Sequence, residues 1–315
     1  MAKRSQPRSG SLQFWPRKRA RKFLPSVNWN AIKTDSLMKG FISYKVGMSS
    51  ALVKDSTPDS MTKDKKIILP VTILETPPMK IFSARFYKEK KIIGEILSSN
   101  IDKELKSKIK LPKNYAKNIN SVKEYDNIKL IVYSQVKKAG FKRVPDISEI
   151  SLSGSLDEKK KFAEEKLGKE ILAGEILKEN NLADIRGLTK GRGLSGPVKR
   201  FGIKLKQHKS EKGVRRPGSL GPWHPAHVTF RAPQAGQLGL FSRVQYNSKI
   251  IKIGRISEKD INPKQGFKHY GKINTDYIIT SGSIPGAQKR ALLLTSPLRP
   301  TKNQEKKKYE FLGLK

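Results

Sequence analysis

The chain of 315 residues contains no cysteine, which excludes disulfides and zinc sites built from thiolates. It also lacks an apolar run close to the roughly 18 residues that are needed to span a bilayer. The first ten residues, MAKRSQPRSG, have no apolar stretch of the kind that forms the centre of a signal peptide. We therefore expect a soluble, intracellular protein with no membrane partner.

Acidic residues are scarce: 27 Asp and Glu stand against 66 Lys and Arg, and the formal net charge is +39. Such an excess of one sign repels itself in a compact monomer. A partner with dense negative charge relieves the repulsion, with nucleic acid the first such partner and an anionic membrane surface the second. The length allows one large domain or two or three smaller ones.

The most cationic stretch runs from Gly187 to Arg255, and its only acid is Glu211. Glycine and proline recur every few residues, which prevents much of it from forming a regular helix or a central strand. Trp223 lies between Pro222 and Pro225, in poor surroundings for a core. We predict a two-stranded extended finger with Trp223 near its tip, in preference to a buried tryptophan. Arms of about 15 residues each would reach roughly 50 Å at ~3.3 Å per residue.

The amino-terminal residues 1–30 are basic, contain no acid and are interrupted by three prolines. Phe14, Trp15, Phe23 and Trp29 are interleaved with the basic residues. Aromatics in this setting stack on bases or dock on a neighbouring surface. We predict a basic N-terminal extension, residues 1–35, with an RNA-contacting arm in preference to a plain solubilising tail.

Stretches of strand composition frame the cationic segments. β-Branched and aromatic residues bounded by turn residues predict strands within 41–53, 66–87, 128–136, 241–256, 267–284 and 289–297. The residues around Pro58–Lys66 predict an exposed hairpin loop. Because strands lie on both sides of the long cationic excursion, we predict one mainly β domain, residues 36–315, resembling a barrel with insertions.

Two segments favour helices. The acidic stretch SLDEKKKFAEEKLGKEILAGEIL (155–177) has apolar residues at helical spacing, and Ser155 with Glu158 forms a capping-box pattern. It predicts an amphipathic helix on the side facing away from RNA. The lysine-rich stretch IDKELKSKIKLPKNYAKNI (101–119) favours a helix up to Pro112. The charged C-terminal tail, TKNQEKKKYEFLGLK, is expected on the surface.

Gly191, Gly193 and Gly196 spell G-x-G-x-x-G, a pattern of dinucleotide-binding folds. Pro197 and further glycines follow where that fold needs a helix, so we reject a dinucleotide site. Close approach of this backbone to a phosphate remains a reasonable expectation, because basic residues flank the glycines.

Two further patterns also fail as sites. Gly266–Lys272 imitates a phosphate loop, but Ile273 replaces the Ser or Thr that would hold magnesium. His224 and His227 have Pro225 between them and no carboxylate nearby, which disfavours a metal site. We expect no cofactor, no metal and no set of catalytic residues.

Several motifs stand in a characteristic order: FISYKVGMSSALV, PVTILETPP, ADIRGLTKGRGLSGPVKRFG, GVRRPGSLGPWHPAHV and AGQLGLFSRVQYNSKI. Together they resemble the family of large-subunit ribosomal protein three, in its archaeal or eukaryotic form, over most of the chain. The resemblance implies a closed Greek-key β-barrel of the translation-protein type with long RNA-binding extensions. An inserted α+β portion would occupy about residues 88–183, and a central finger about 200–240.

The resemblance also implies a role. Family members are structural components of the large ribosomal subunit and do no chemistry of their own. They bind large-subunit rRNA, act early in subunit assembly and send the central extension toward the peptidyl transferase centre. The implied partners are this RNA and neighbouring ribosomal proteins, in the cytoplasm, with no small-molecule substrate. The alternatives are an RNA-modifying or nucleotide-dependent enzyme with a basic RNA channel, and a chromatin-like DNA binder.

Candidate RNA contacts carry a positive charge, an aromatic ring or an amide. The resemblance implies that Trp223 is the aromatic tip, with His224, Arg215 and Arg216 beside it and Gln237 on the return strand. The composition of the cationic segments adds His227, Lys190, Arg192, Lys199, Arg200, Arg243, Trp15, Arg17, Arg19 and Arg21. The lysine-rich stretch 89–117 departs from the family pattern, so no site is expected there.

Overall fold

A computed structural model describes residues 10–112, 122, 124–209 and 212–315 of the chain. The chain forms two compact units. One contains residues up to Lys22 together with Leu188–Ser242, and the other contains Phe23–Gly187 together with Arg243–Lys315. The second, larger unit carries nearly all of the regular secondary structure.

Strands dominate the described residues. They are β1 (Gly40–Asp55), β2 (Lys66–Glu75), β3 (Met79–Lys88), β4 (Lys91–Leu97), β5 (Asn127–Ser134), β6 (Ile147–Ser151), β7 (Glu170–Ile171), β8 (Leu182–Leu188), β9 (Leu194–Ser195), β10 (Gly236–Gln237), β11 (Ser242–Gly254), β12 (Tyr277–Ser281), β13 (Ala291–Thr295) and β14 (Tyr309–Leu314). The helices are α1 (Val136–Ala139), α2 (Leu156–Lys166), α3 (Ala173–Ile176), α4 (Pro197–Phe201) and α5 (Lys302–Glu305). Even α2 has only 11 residues, and no described helix has the length and apolar character that a membrane crossing requires.

The first sheet has seven strands in the order β13-β8-β11-β12-β2-β1-β14. The long strand β1 has three antiparallel neighbours: β13 along its first residues, then β2, and β14 along its last residues. Register shifts at Lys45/Gly47 and Leu52/Val53 interrupt these pairings, and such bulges bend a strand and increase its twist. As a result β13 pairs with β1 as well as with β8.

Both faces of the first sheet are buried around β8, β13 and the first half of β1. Parts of β2, β11 and β14 reach solvent. Val46, Val71 and Ile73 belong to one apolar cluster, while Phe41 and Ile42 belong to a larger one that includes the middle of β13. All five residues of β13, ALLLT, are buried. A strand covered on both faces has a continuous apolar sequence instead of an alternating one, and β13 follows this rule.

The second sheet has the order β4-β3-β5-β6, with β7 also paired to β3. Ile128, Leu130 and Val132 of β5 contribute to the large cluster that also includes Ala163 of α2. Ile131 and Tyr133, on the opposite face of β5, pack in a smaller cluster with Phe82 and Leu105. Successive side chains of a strand point to opposite faces, so β5 supports two cores.

The start of α2 confirms the predicted capping box. The Ser155 hydroxyl accepts a hydrogen bond from the Glu158 N–H at 3.3 Å, and the Glu158 carboxylate accepts one from the Ser155 N–H at 2.9 Å. The predicted helix over 155–177 is nevertheless too long. Its last helical residue is Lys166, and Gly168, with φ +75°, turns the chain so that β7 can pair with β3.

Other predicted elements differ in extent. The strand regions at 41–53, 66–87, 128–136, 241–256, 267–284 and 289–297 overlap β1, β2, β3, β5, β11, β12 and β13. The hairpin loop after Pro58 lies between the paired β1 and β2. The helix favoured up to Pro112 is a single 3₁₀ turn, Lys103–Ser107, and residues 113–119 of that segment lie outside the described residues. The charged tail contains β14, because Tyr309–Leu314 pairs with β1.

Aromatic and polar contacts tie the two sheets together. The Phe141 ring lies against Tyr44 and Tyr270, with centroids 5.0 and 5.2 Å away. The Tyr44 hydroxyl donates to the Asp146 carboxylate at 2.7 Å, and the Lys142 ammonium contacts the same carboxylate at 2.6 Å. Each of these polar groups is hydrogen-bonded, as buried polar groups must be to avoid a desolvation penalty.

The hairpin loop between β1 and β2 is organised by Asp55. Its carboxylate accepts hydrogen bonds from the Thr57 N–H at 2.9 Å, the Ser60 hydroxyl at 2.9 Å and the Thr62 hydroxyl at 2.5 Å. Burial raises the pKa of Asp55, but the hydrogen bonds from Thr57, Thr62 and Ser60 outweigh it and lower the pKa to about 2. The ionised carboxylate therefore stabilises the folded loop.

Substitution Asp55→Asn should lower the free energy of unfolding by about 2 kcal/mol near pH 7, since one pKa unit corresponds to ~1.4 kcal/mol. Because the folded pKa lies below the unfolded one, this contribution is complete above about pH 4 and disappears as the pH falls toward 2. Urea denaturation at pH 7 and at pH 2.5 measures the difference. Asp59→Asn, at an exposed position of the same loop, is the control without effect. A loss for Asp55→Asn that does not vary with pH would contradict this account.

Candidate nucleic-acid interface

The smaller unit contains every predicted RNA contact except Arg243. Leu188–Ser242 carries eleven lysines and arginines and one acid, Glu211, and residues 1–22 carry no acid. Glu211 lies outside the described residues. The unit therefore concentrates positive charge that acidic side chains of its own sequence cannot neutralise.

Two segments of this unit lie side by side: Lys190–Gly193, which precedes the predicted finger, and Leu238–Gly239, which follows it. We call this pair of segments the base of the unit. The Arg192 N–H donates to the Leu238 carbonyl at 3.0 Å, and the Leu238 N–H donates to the Gly193 carbonyl at 2.9 Å. Gly239 has φ +77°, and a Cβ at this position would lie 2.0 Å from the Lys190 carbonyl oxygen. Only glycine fits there. In the structure, the close approach that glycine permits here is between two segments of the same chain, at Gly239 and Lys190.

Short elements beside the base of the unit set the direction of the side chains. β9 and β10 pair antiparallel through Ser195–Gly236 and Leu194–Gln237. Helix α4 starts at Pro197, where the missing N–H is harmless, and it ends at Gly202 with φ +66°. The five-residue helix buries Phe201 and leaves Lys199 exposed.

An aromatic cluster joins the N-terminal arm to the base of the finger. Trp15 stacks on Phe201 with ring centroids 6.0 Å apart, and it meets Phe230 edge-on at 5.5 Å. The Arg17 guanidinium lies 4.3 Å from the Phe201 ring centre, and that of Arg200 lies 5.8 Å from the Trp15 ring. Cations over aromatic faces are attracted by the ring quadrupole, so this cluster combines stacking with charge.

Carbonyl oxygens complete the environment of the two arginines. Arg200 donates to the Gln237 carbonyl at 3.1 Å and the Gln234 carbonyl at 3.0 Å, and Arg17 donates to the Arg200 carbonyl at 2.7 Å. Burial lowers the pKa of Arg200. The Gln237 side chain donates to two carbonyls of its own turn. Trp15, Arg17, Arg200 and Gln237 thus hold the unit together.

The segment between α4 and β10, which we continue to call the finger, presents most of its side chains to solvent. Arg215, Arg216, His224 and His227 are exposed, and Trp223 has 86% of its surface exposed. Trp223 is therefore not a core residue. The predicted two-stranded form is wrong for the described residues between α4 and β10, which contain no strand. Prolines and glycines interrupt this sequence too often for a hydrogen-bonded ladder.

The remaining predicted contacts fall into two groups. Lys190, Arg192, Arg19 and Arg21 are exposed. Arg243, near the start of β11 in the larger unit, is half-buried, and burial lowers its pKa. Phe201 and Phe230 were not predicted as site residues. They carry the same signal that identified Trp15, namely an aromatic residue within a cationic segment.

The patterns rejected from the sequence have no nucleotide-binding geometry. β9, inside the G-x-G-x-x-G stretch, has two residues and α4 has five, so no strand–loop–helix unit surrounds these glycines. Phe267 pairs with Gly271 in an isolated bridge in place of a phosphate loop. In the described part of the chain, no group of three or more His, Asp or Glu side chains is arranged to hold a metal ion.

Comparison with known proteins agrees with the order of the motifs. The sequence matches the family model described as Ribosomal protein L3 over residues 1–312. It is 39% identical to "Large ribosomal subunit protein uL3" of Archaeoglobus fulgidus, covering 94% of this chain and 93% of that protein. Proteins of the same description from Methanobrevibacter smithii (39%; 97% and 95% covered) and Methanocaldococcus jannaschii (37%; 94% and 92%) are similar over nearly the same extent.

Arg200→Ala should loosen the return segment of the finger. It removes two charge-assisted hydrogen bonds, each of which contributes about 1.5–3 kcal/mol, and we expect amide hydrogens in 234–241 to exchange at least about tenfold faster. Lys199→Ala removes the same charge from the exposed neighbouring position and should leave exchange unchanged. Hydrogen–deuterium exchange of the free protein measures both. Equal exchange in the two variants would show that Arg200 does not hold this segment.

Proposed function

The chain belongs to the ribosomal protein L3 family, and we propose that it is a structural, RNA-binding component of the large ribosomal subunit that acts early in subunit assembly. The observation that carries this proposal is the cationic segment Leu188–Ser242 of the smaller unit, which has eleven lysines and arginines, one acidic residue and a tryptophan presented to solvent. Lysine and arginine on phosphates supply salt-dependent affinity that is largely independent of sequence. Exposed aromatic rings offer surfaces on which unstacked RNA bases stack.

The candidate residues divide into two roles. The exposed residues contact RNA, with charge-assisted bonds to phosphate and stacking on bases: Lys190, Arg192, Lys199, Arg215, Arg216, Trp223, His224, His227, Arg19 and Arg21. Trp15, Arg17, Arg200 and Gln237 orient this surface through the stacking and carbonyl contacts described above, and their remaining surface also lies toward RNA. Arg243, at the start of β11 in the larger unit, is proposed as a further RNA contact.

We propose that the first sheet closes into a Greek-key β-barrel of the translation-protein type. The pairings support closure, because they run through β1, β2, β12, β11, β8 and β13 and return from β13 to β1. The second sheet and α2 form the inserted α+β portion, proposed at about 88–183, with β3 leading into it. The central finger lies within about 200–240. The N-terminal extension lies within residues 1–35, although Trp29 already packs in the core.

The finger is proposed to reach toward the peptidyl transferase centre, where the RNA performs the chemistry and the protein has no catalytic role. Neighbouring large-subunit proteins are the other partners, and the cytoplasm is the location. An RNA-modifying or nucleotide-dependent enzyme would need a cofactor loop, which in the nucleotide-binding patterns considered is a strand–loop–helix unit, or an acid–base pair. Neither glycine-rich candidate has that form in the described residues, so we do not propose this alternative.

Binding at matched salt tests the proposed function. The purified chain should bind large-subunit rRNA fragments more tightly than duplex DNA of equal length, and the logarithm of its affinity should fall linearly with the logarithm of the salt concentration. Fluorescence anisotropy with labelled RNA and DNA measures both. A preference for duplex DNA would contradict the ribosomal function and favour a chromatin-like role.

Trp223→Ala tests the finger. Because Trp223 is exposed, the melting temperature of the free protein should stay nearly unchanged, while chemical probing of assembled large subunits should show altered reactivity at the catalytic-centre RNA. Trp29, which is 7% exposed, supplies the opposite control: Trp29→Ala should cost about 3 kcal/mol or more of stability. A large loss of stability in Trp223→Ala would instead mean that this ring supports the fold.

A further inference from the structure

Arg186 is a buried cation that lacks a partner. It lies on β8, opposite Leu293 of β13, and has 9% of its surface exposed. Its Nε is fully shielded from solvent and makes no hydrogen bond. Within the described residues, the Arg186 guanidinium makes no hydrogen bond and no ion pair, and it does not lie over an aromatic ring.

The acid nearest to Arg186 in the strand is already engaged. One Asp184 carboxylate oxygen accepts the Asn247 N–H at 2.9 Å, and the other accepts the Leu298 N–H at 2.9 Å. Two other arginines of the larger unit do have a partner. Arg85 forms an ion pair with Glu95 at 2.8 Å, and Arg290, which also has a shielded nitrogen without a hydrogen bond, lies over the Phe23 ring at 5.3 Å.

A guanidinium stays charged at any pH at which proteins fold, so it cannot escape burial by losing a proton. A shielded charge without a partner destabilises the fold. Nε is the one Arg186 nitrogen that is shielded without a hydrogen bond. The terminal nitrogens remain accessible, and the planar fork matches a phosphate in a two-bond arrangement. An incoming phosphate would give the guanidinium the charge-assisted hydrogen bonds that the described residues do not provide.

We infer that Arg186 is a receptor for a backbone phosphate of the RNA, an inference that rests on the proposed function. RNA is favoured over an acidic protein because the chain carries a net charge of +39. The path of the chain points the same way: β8 ends at Leu188, and Lys190 and Arg192 of the cationic unit follow at once. Arg186 thereby adds a phosphate contact on β8 of the larger unit to the contacts proposed for the exposed residues.

Arg186→Met tests this inference, because methionine fills a similar space without charge. The free protein should melt at the same temperature or higher, since an uncompensated charge has been removed. Affinity for in vitro transcribed large-subunit rRNA should fall roughly tenfold or more, and the salt slope should decrease by about one. Arg186→Lys, which keeps the charge but loses the fork, should retain most of the slope and only part of the affinity.

The matched control is Arg85→Met, which removes an arginine that is paired with Glu95. It should lower the melting temperature and leave RNA affinity and salt slope unchanged. Three results for Arg186→Met would overturn the inference: wild-type RNA affinity, a clear loss of stability or folding in the free chain, or loss of a neighbouring ribosomal protein from assembled subunits with RNA binding intact. Failure of the wild-type chain to prefer large-subunit rRNA would instead refute the proposed function.

Discussion

The segment Leu188–Ser242 of the smaller unit has eleven lysines and arginines but one acidic residue. It must therefore fold with almost no carboxylates to neutralise its positive charge. Arg200 shows how it does so: its hydrogen bonds run to the Gln234 and Gln237 carbonyls, and its charge lies over the Trp15 and Phe201 rings. Carbonyl oxygens and aromatic faces attract a cation without neutralising it. The unit can therefore be ordered at its base and remain strongly positive toward a polyanion.

The larger unit follows the opposite rule. Its lysines and arginines often meet carboxylates, as in the pairs Lys80–Asp102, Lys142–Asp146 and Lys166–Glu175. Apolar clusters cover both faces of the first sheet and organise the remaining structure. Arg186 breaks this rule, since it is buried without a carboxylate. The smaller unit thus presents unneutralised charge, while the larger unit pairs some of its lysines and arginines with carboxylates.

Local sequence predicted seven of the fourteen described strands and the start of α2. Alternation and β-branched residues identify β5 and β11, and Ser155 with Glu158 forms the capping box that begins α2. The end of α2 was beyond local sequence, because pairing of Glu170–Ile171 with β3 overrides helical spacing. β14 was missed for a similar reason: Tyr309–Leu314 is charged and unremarkable in composition, and only β1 as a neighbour makes it a strand.

For the candidate interface, sequence by itself determined the sign and concentration of charge and the exposure of Trp223, because prolines and glycines beside Trp223 leave no regular element to bury it. Tertiary structure alone decided which predicted contacts hold the unit together. Trp15 and Arg200 are 185 residues apart and meet only after folding. Glycine is required at position 239 because the backbone there has a positive φ and because the Lys190 carbonyl passes so close to it. The sequence also could not predict that the Arg186 guanidinium lacks a partner, because this depends on every residue that surrounds it in the folded chain.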